Sequence, residues 1–191
     1  MRKLNRPTCP NPAALATNYK HPDNKSALVK ASFEKCMYCE EKILSSQFGD
    51  VEHIKPKSRF KNLEFDWKNL GLICSKCNNA KSDKYDEQTP FINPYDEDPE
   101  DYIIATGTLL AQRRGSERGE LTISEIELNR GGLIEKRYEK IKNIGKTIDK
   151  CFRTQNETLK KNALEDLKKE ASEDKEYSLC VKYLLKSHRI L

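Results

Sequence analysis

A chain of 191 residues with 34% charged and 36% hydrophobic side chains is polar for a globular protein, yet apolar residues recur along its whole length, which argues against disorder. Apolar runs such as Tyr102–Ala105 last only a few residues, far short of the roughly 20 that a membrane-spanning helix needs, and the opening MRKLNRPTCPNP has no apolar stretch of a secretory signal. The net charge of +5 is too mild to imply nucleic acid by itself, and a cytoplasmic location, where thiols stay reduced, is expected.

Residues 1–35, rich in Pro and Asn, read as mostly irregular, with one short helix near Lys25–Phe33 after Pro22-Asp23. Residues 36–90 contain two cysteine pairs, Cys36-Met-Tyr-Cys39 and Cys74-Ser-Lys-Cys77, separated by residues 40–73. Two residues between paired thiolates let both sulfurs reach one ion, and two such knuckles complete a closed tetrahedral site. Cys36, Cys39, Cys74 and Cys77 are therefore expected to hold a structural zinc; a redox dithiol or chance pairing is the competing reading. Cys9, Cys151 and Cys180 stand alone, and the latter two read as small buried apolar residues.

Between the knuckles, Phe48–Ile54 alternates like a strand ending at His53, and Pro56 discourages its continuation. Leu70–Cys74 reads as a second strand. A helix is expected after Cys77, with Asn78 or Asn79 near its N-terminus. In residues 91–191, a Pro- and Asp-rich connector (89–101) leads to a β-hairpin at 101–112, with Thr106-Gly107 near its turn, and then to a loop, RRGSERGE. From about Ser124 the pattern turns helical: Leu133, Tyr138, Ile141, Ile144, Ile148 and Cys151 recur at three- and four-residue steps, followed by stretches around Leu159–Leu167 and beyond Lys175. The apolar stripe of this region is a core face or, alternatively, a surface for a partner.

Charge is unevenly spread. Residues 52–84 carry eight Lys or Arg against four acids, whereas 85–101 carry seven acids and no Lys or Arg. Distinct faces follow, although a solvated surface has the same composition.

The combination of CMYC, VEHIKPKS and DWKNLGLICSKCNNAKS resembles the HNH endonucleases in their zinc-knuckle form, over about residues 33–85. The resemblance implies an α+β chain: a ββα-metal core stapled by a Cys₄ zinc site, with a mainly helical C-terminal extension. It implies His53 as the general base activating water against a phosphodiester, Glu52 and Asn78 as holders of one Mg²⁺ or Mn²⁺, Asn69 as the residue that aims His53, and Lys81 as a group approaching a phosphate. The sequence departs from the family twice, with Asn78 where His is common and Glu52 where Asp is. A neutral imidazole suits proton removal near neutral pH, and one carboxylate plus one amide suits a hydrated Mg²⁺. Lys55, Lys57, Arg59, Lys76 and Lys84 are candidates for contacts to backbone phosphates. Trp67 reads as packing under the loop, and His21 and His188 as ordinary surface residues.

The opening RKLNRP, FINPYDEDPEDYI and ELTISEIELNRGGLIEKRYEKI are similar to the HNH subunit of Septu-type and retron-associated antiphage systems. That resemblance implies a DNA-cleaving effector partnered by an ABC/SMC-like ATPase. One HNH site makes a nick, so a double-strand break would need two sites or two events, and a homodimer or recruitment into a larger assembly is expected. Two alternatives stay open: an HNH nuclease that cleaves RNA, such as tRNA, and a zinc-stapled nucleic-acid-binding module without catalysis.

Overall fold

The computed structural model describes residues 1–43 and 49–191; Phe48, the expected start of the first strand, lies outside them. Two antiparallel strands, β1 (Asp50–His53) and β2 (Leu70–Ile73), pair Asp50 with Ile73, Val51 with Leu72, Glu52 with Gly71 and His53 with Leu70. All of β2 is buried. A Cβ at Gly71 would overlap the Met37 sulfur of the first knuckle, so that side chain would have to shift to admit any larger residue. One helix, Ser75–Lys81, follows β2 directly.

This helix begins earlier than the sequence pattern suggests. Cys74 is extended at the N-cap (φ −81°, ψ 156°), and Ser75, Lys76 and Cys77 already wind the first turn. The second knuckle is thus the start of the helix, and Asn78 sits a full turn inside it. Together these elements form a ββα unit.

The N-terminal segment holds two helices, α1 (Pro12–Leu15) and α2 (Pro22–Ala31), which makes the Ser75–Lys81 helix α3. Both open with proline in the first turn, where a missing N–H costs nothing. Asn11 Oδ1 caps α1 by accepting from the Ala14 N–H at 3.0 Å. His21 Nδ1 accepts from the Asp23 N–H at 3.4 Å, so this histidine is a helix cap rather than an ordinary surface residue.

The C-terminal region opens with the hairpin of β3 (Ile103–Thr106) and β4 (Leu109–Gln112), turned at Gly107 with φ +61°. Four helices follow: α4 (Glu117–Glu125), α5 (Gly131–Arg153), α6 (Glu157–Lys169) and α7 (Ser178–Ser187). The second half of RRGSERGE is therefore helical. Ser116 Oγ accepts from the Gly119 N–H at 3.0 Å, and Glu117 and Glu120 favour the positive end of the helix.

One apolar cluster draws on all parts of the chain, from Leu4 and Leu28 through Val51, Leu70 and Leu72 to Ile103, Leu128 and Leu179. Each such side chain contributes about 1.5–3 kcal/mol when withdrawn from water. A second cluster, including Ile144, Ile148, Leu167, Val181 and Leu185, joins α5, α6 and α7. Cys151 and Cys180 are buried at 3% and 2% exposure. Glu40 ties the first knuckle to α7: it accepts from Ser178 Oγ at 2.8 Å and from the Leu179 N–H at 3.4 Å. No described helix is long and apolar enough to cross a membrane.

Candidate active site

The two knuckles meet. The sulfurs of Cys36, Cys39, Cys74 and Cys77 all lie within 4.8 Å of one another, and all four residues are buried. Cys39 Sγ and Cys74 Sγ are 3.8 Å apart, which matches the separation of roughly 3.8 Å expected for thiolates around a tetrahedral ion with bonds of about 2.3 Å. The Met37 N–H donates to the Leu72 carbonyl at 3.0 Å, so the first knuckle is bonded to β2 and the second grows out of β2. The four thiols fit one zinc-sized ion. Among the described residues this is the one group of three or more His, Cys, Asp or Glu side chains close enough to share a metal.

Beside it lies a cleft of about 520 Å³ whose walls include Tyr19, Glu52, His53, Lys57, Asn78 and Asp83. His53 is the last residue of β1 and is only 2% exposed. Its Nε2 sits 2.9 Å from the Glu64 carbonyl oxygen. A carbonyl can only accept, so in the neutral ring this contact assigns the hydrogen to Nε2 and leaves the Nδ1 lone pair free. Burial pulls the His53 pKa below its ordinary value, opposed by the Glu64 carbonyl and by the charge of Glu52. The shift favours the neutral imidazole, the form that a proton acceptor requires.

Asn69, buried just before β2, laces the base of the intervening loop. Its Oδ1 accepts from the Lys55 N–H at 2.8 Å. Its Nδ2 donates to the carbonyls of Lys55 and Leu63 at 3.0 and 3.2 Å. The Ile54 N–H adds a bond to the Asn69 carbonyl at 2.8 Å. These contacts tie the residues just after His53 and just before Glu64 to the same side chain. Trp67 donates its indole N–H to the Pro7 carbonyl at 2.7 Å and packs partly buried against the core.

Lys81 occupies a different place from the one expected. It is 0% exposed, and its Nζ donates to Glu52 Oε1 at 3.0 Å and to the Ser82 carbonyl at 3.3 Å. Such a buried ammonium cannot reach a phosphate. It instead holds one oxygen of Glu52, and the carboxylate supplies its counter-charge. Asn78 lines the same cleft as Glu52. Both residues offer oxygen donors of the hard kind that a largely hydrated divalent cation takes.

Of the five basic residues proposed for phosphate contacts, Lys57 lines the cleft. It pairs with Glu64 at 2.9 Å. Lys55 lies over the Phe60 and Tyr85 rings, Arg59 donates to the Tyr85 carbonyl, Lys84 pairs with Glu125 at 2.9 Å, and Lys76 is exposed on α3. Three participants carried no sequence signal. The Glu64 contribution is a backbone carbonyl, Tyr19 comes from the loop between α1 and α2, and Asp83 enters from beyond the end of α3.

The ββα unit with its Cys₄ cluster and histidine-bearing strand lies in residues 36–84, which match the family model described as HNH endonuclease. More particularly, the chain is similar to the Septu protein PtuB of Bacillus thuringiensis, with 34% identity over 107 residues, covering 55% of this chain and 40% of that protein. It is also similar to the Septu protein PtuB of Bacillus mycoides (strain KBAB4), with 27% identity over 158 residues, covering 66% and 53%. The matches thus span about half the length of these curated relatives.

Proposed function

We propose that this cleft is the catalytic site of a divalent-metal-dependent endonuclease that hydrolyses DNA phosphodiester bonds. The observation that carries the reading is His53: Nε2 tied to the Glu64 carbonyl, Nδ1 free, the neutral ring favoured, and Glu52 next to it in the same cleft. In this reading Nδ1 takes a proton from the attacking water. Glu52 and Asn78 hold Mg²⁺ or Mn²⁺, and Lys81 fixes the Glu52 carboxylate from its buried side. The ion, when bound, supplies positive charge to the scissile phosphate. Asn69 keeps the loop that aims the imidazole, and Lys57 with its basic neighbours attracts the phosphate backbone. The Cys₄ cluster holds zinc as a structural staple.

The similarity to the Septu proteins supports a role in antiphage defence, in a complex with an ABC/SMC-like ATPase. Supercoiled plasmid tests the chemistry: wild type nicks it with Mg²⁺ or Mn²⁺, EDTA stops the reaction, and His53→Ala abolishes it while Cys₄ metal content is kept. Undiminished nicking by His53→Ala refutes the assignment. Cleavage of tRNA but not of plasmid moves the substrate to RNA. Repeating the plasmid assay with the ATPase added tests the partnership, which predicts a change in nicking rate.

A further inference from the structure

The loop between α1 and α2 touches both ends of β1 through two consecutive residues. Lys20 pairs with Asp50, the first residue of the strand, at 2.7 Å. Tyr19 packs against His53, the last, with ring centroids 4.5 Å apart and planes inclined by 59°. The same tyrosine ring carries two cations, Lys57 at 4.8 Å and Lys20 at 5.7 Å from its centroid, and it forms part of the cleft wall.

The imidazole needs such a support. Its side-chain hydrogen bond runs through Nε2 to the Glu64 carbonyl. A single bond fixes one atom of the ring but leaves the plane free to tilt about it. A tilt would swing Nδ1, the atom with the free lone pair, away from the cleft. An aromatic ring packed at 4.5 Å and inclined by 59° restricts that freedom by steric contact.

We propose that Tyr19 is a positioning residue for His53, and that the α1–α2 loop is a working wall of the catalytic cleft rather than an N-terminal appendage. Its tilted ring restrains the imidazole plane, and the same ring seats Lys57 in the cleft, where a backbone phosphate would arrive. The aromatic ring is what the function needs, so phenylalanine suffices and a small side chain does not. The proposal rests on the nuclease reading for its catalytic consequence, but the orientation of His53 is testable without substrate.

The test uses the full chain with Tyr19→Phe and Tyr19→Ala. In long-range proton–nitrogen NMR spectra above pH 7, wild type and Tyr19→Phe show a protected Nε2–H signal from His53, assigned by its loss in His53→Ala. Tyr19→Ala loses that signal because removing the packed ring both frees the imidazole plane and opens the Nε2–H bond to exchange with water. In plasmid nicking, Tyr19→Ala lowers kcat by about tenfold to a hundredfold, the range for a misplaced catalytic group, a larger effect than the rise in KM that the unseated Lys57 brings, with Tm close to wild type. Tyr19→Phe keeps most of kcat. An unchanged Nε2–H signal in Tyr19→Ala overturns the proposal, as does a Tyr19→Phe variant as impaired as Tyr19→Ala. If no variant, wild type included, cleaves any substrate while the signal still depends on Tyr19, the positioning stands and the nuclease reading is what fails.

Discussion

The guanidinium of Arg130, at the N-cap of α5, donates to the Cys77 sulfur through both terminal nitrogens, at 3.4 and 3.5 Å. It also bonds the Glu127 carbonyl at 3.2 Å, so it is held in place from its own side. Four thiolates around one divalent ion leave two negative charges, and an outer-shell cation offsets part of that charge. Arg130→Gln is expected to release the Cys₄ metal to a colorimetric chelator about tenfold faster or more, the scale of outer-shell substitutions. Arg130→Lys, which keeps the charge and loses the fork, falls between. Equal release rates in all three proteins would show that the contact does not stabilise the centre.

Removing the ion itself has a larger expected effect. The Cys₄ cluster joins the turn after α2 to the start of α3, and β2 runs between. Binding energy at such a centre is folding energy. Cys74→Ser, or stripping by a strong chelator, is expected to lower Tm markedly and to expose the core of the ββα unit to protease. Retention of the native Tm after verified metal loss would mean that the surrounding apolar cluster suffices.

The Glu52–Lys81 pair predicts an asymmetry. Glu52→Ala leaves a fully buried ammonium without its partner, which costs about 3–5 kcal/mol. His53→Ala leaves no charge stranded. Thermal unfolding is expected to rank Glu52→Ala well below His53→Ala, and Lys81→Met added to Glu52→Ala recovers much of the loss. Equal Tm values for the two single variants would count against the pair as a stability element.

Asn69→Ala removes three side-chain hydrogen bonds from one loop base and leaves buried groups unsatisfied, at about 1–3 kcal/mol each at most. Activity is expected to fall with the Cys₄ metal content unchanged. Asn69→Asp keeps the acceptor for the Lys55 N–H but sets a carboxylate against two carbonyls, so it is expected to be no better than alanine. A near-native rate in either would show that the loop holds its shape without this residue.

A pH effect on stability is expected at the Glu97–Arg118 pair. Glu97 receives the Arg118 guanidinium on both oxygens, at 2.5 and 2.8 Å. Burial alone would raise the Glu97 pKa, but Arg118, the Asn93 N–H and Tyr102 outweigh it and hold it below the ordinary value. A carboxyl whose folded pKa is depressed contributes stability that is complete above its unfolded pKa, about 4.3, and is lost as pH falls through the folded value. Denaturant midpoints of wild type and Glu97→Gln should therefore differ most above pH 5 and converge toward pH 3. A constant gap across that range would remove Glu97 from the acid response.

Local chemistry was readable where it depends on spacing along the chain. The two CxxC pairs announced their cluster, and the hairpin followed from alternation with a glycine at its turn. The errors were of boundary and of exposure. The RRGSERGE stretch looked like a loop because arginine and glycine are weak signals, whereas the Ser116 cap decided the helix. Lys81 looked like a phosphate ligand because sequence does not reveal burial; the side chain points at Glu52, with no exposed surface.

By itself, the sequence determined which chemical groups this protein holds: four thiolates in two knuckles, an imidazole between an acid and a Lys-Pro, and amides at 69 and 78. These are properties of residue type and short spacing, which a local chain segment sets without help. The tertiary structure alone decided what those groups face. It brought a carbonyl from Glu64, an aromatic ring from Tyr19 and a guanidinium from Arg130 to them across 11, 34 and 53 residues. Packing chooses such neighbours by shape and burial, and no local pattern encodes them, because a backbone carbonyl or a lone tyrosine is the same in every loop until the fold places it.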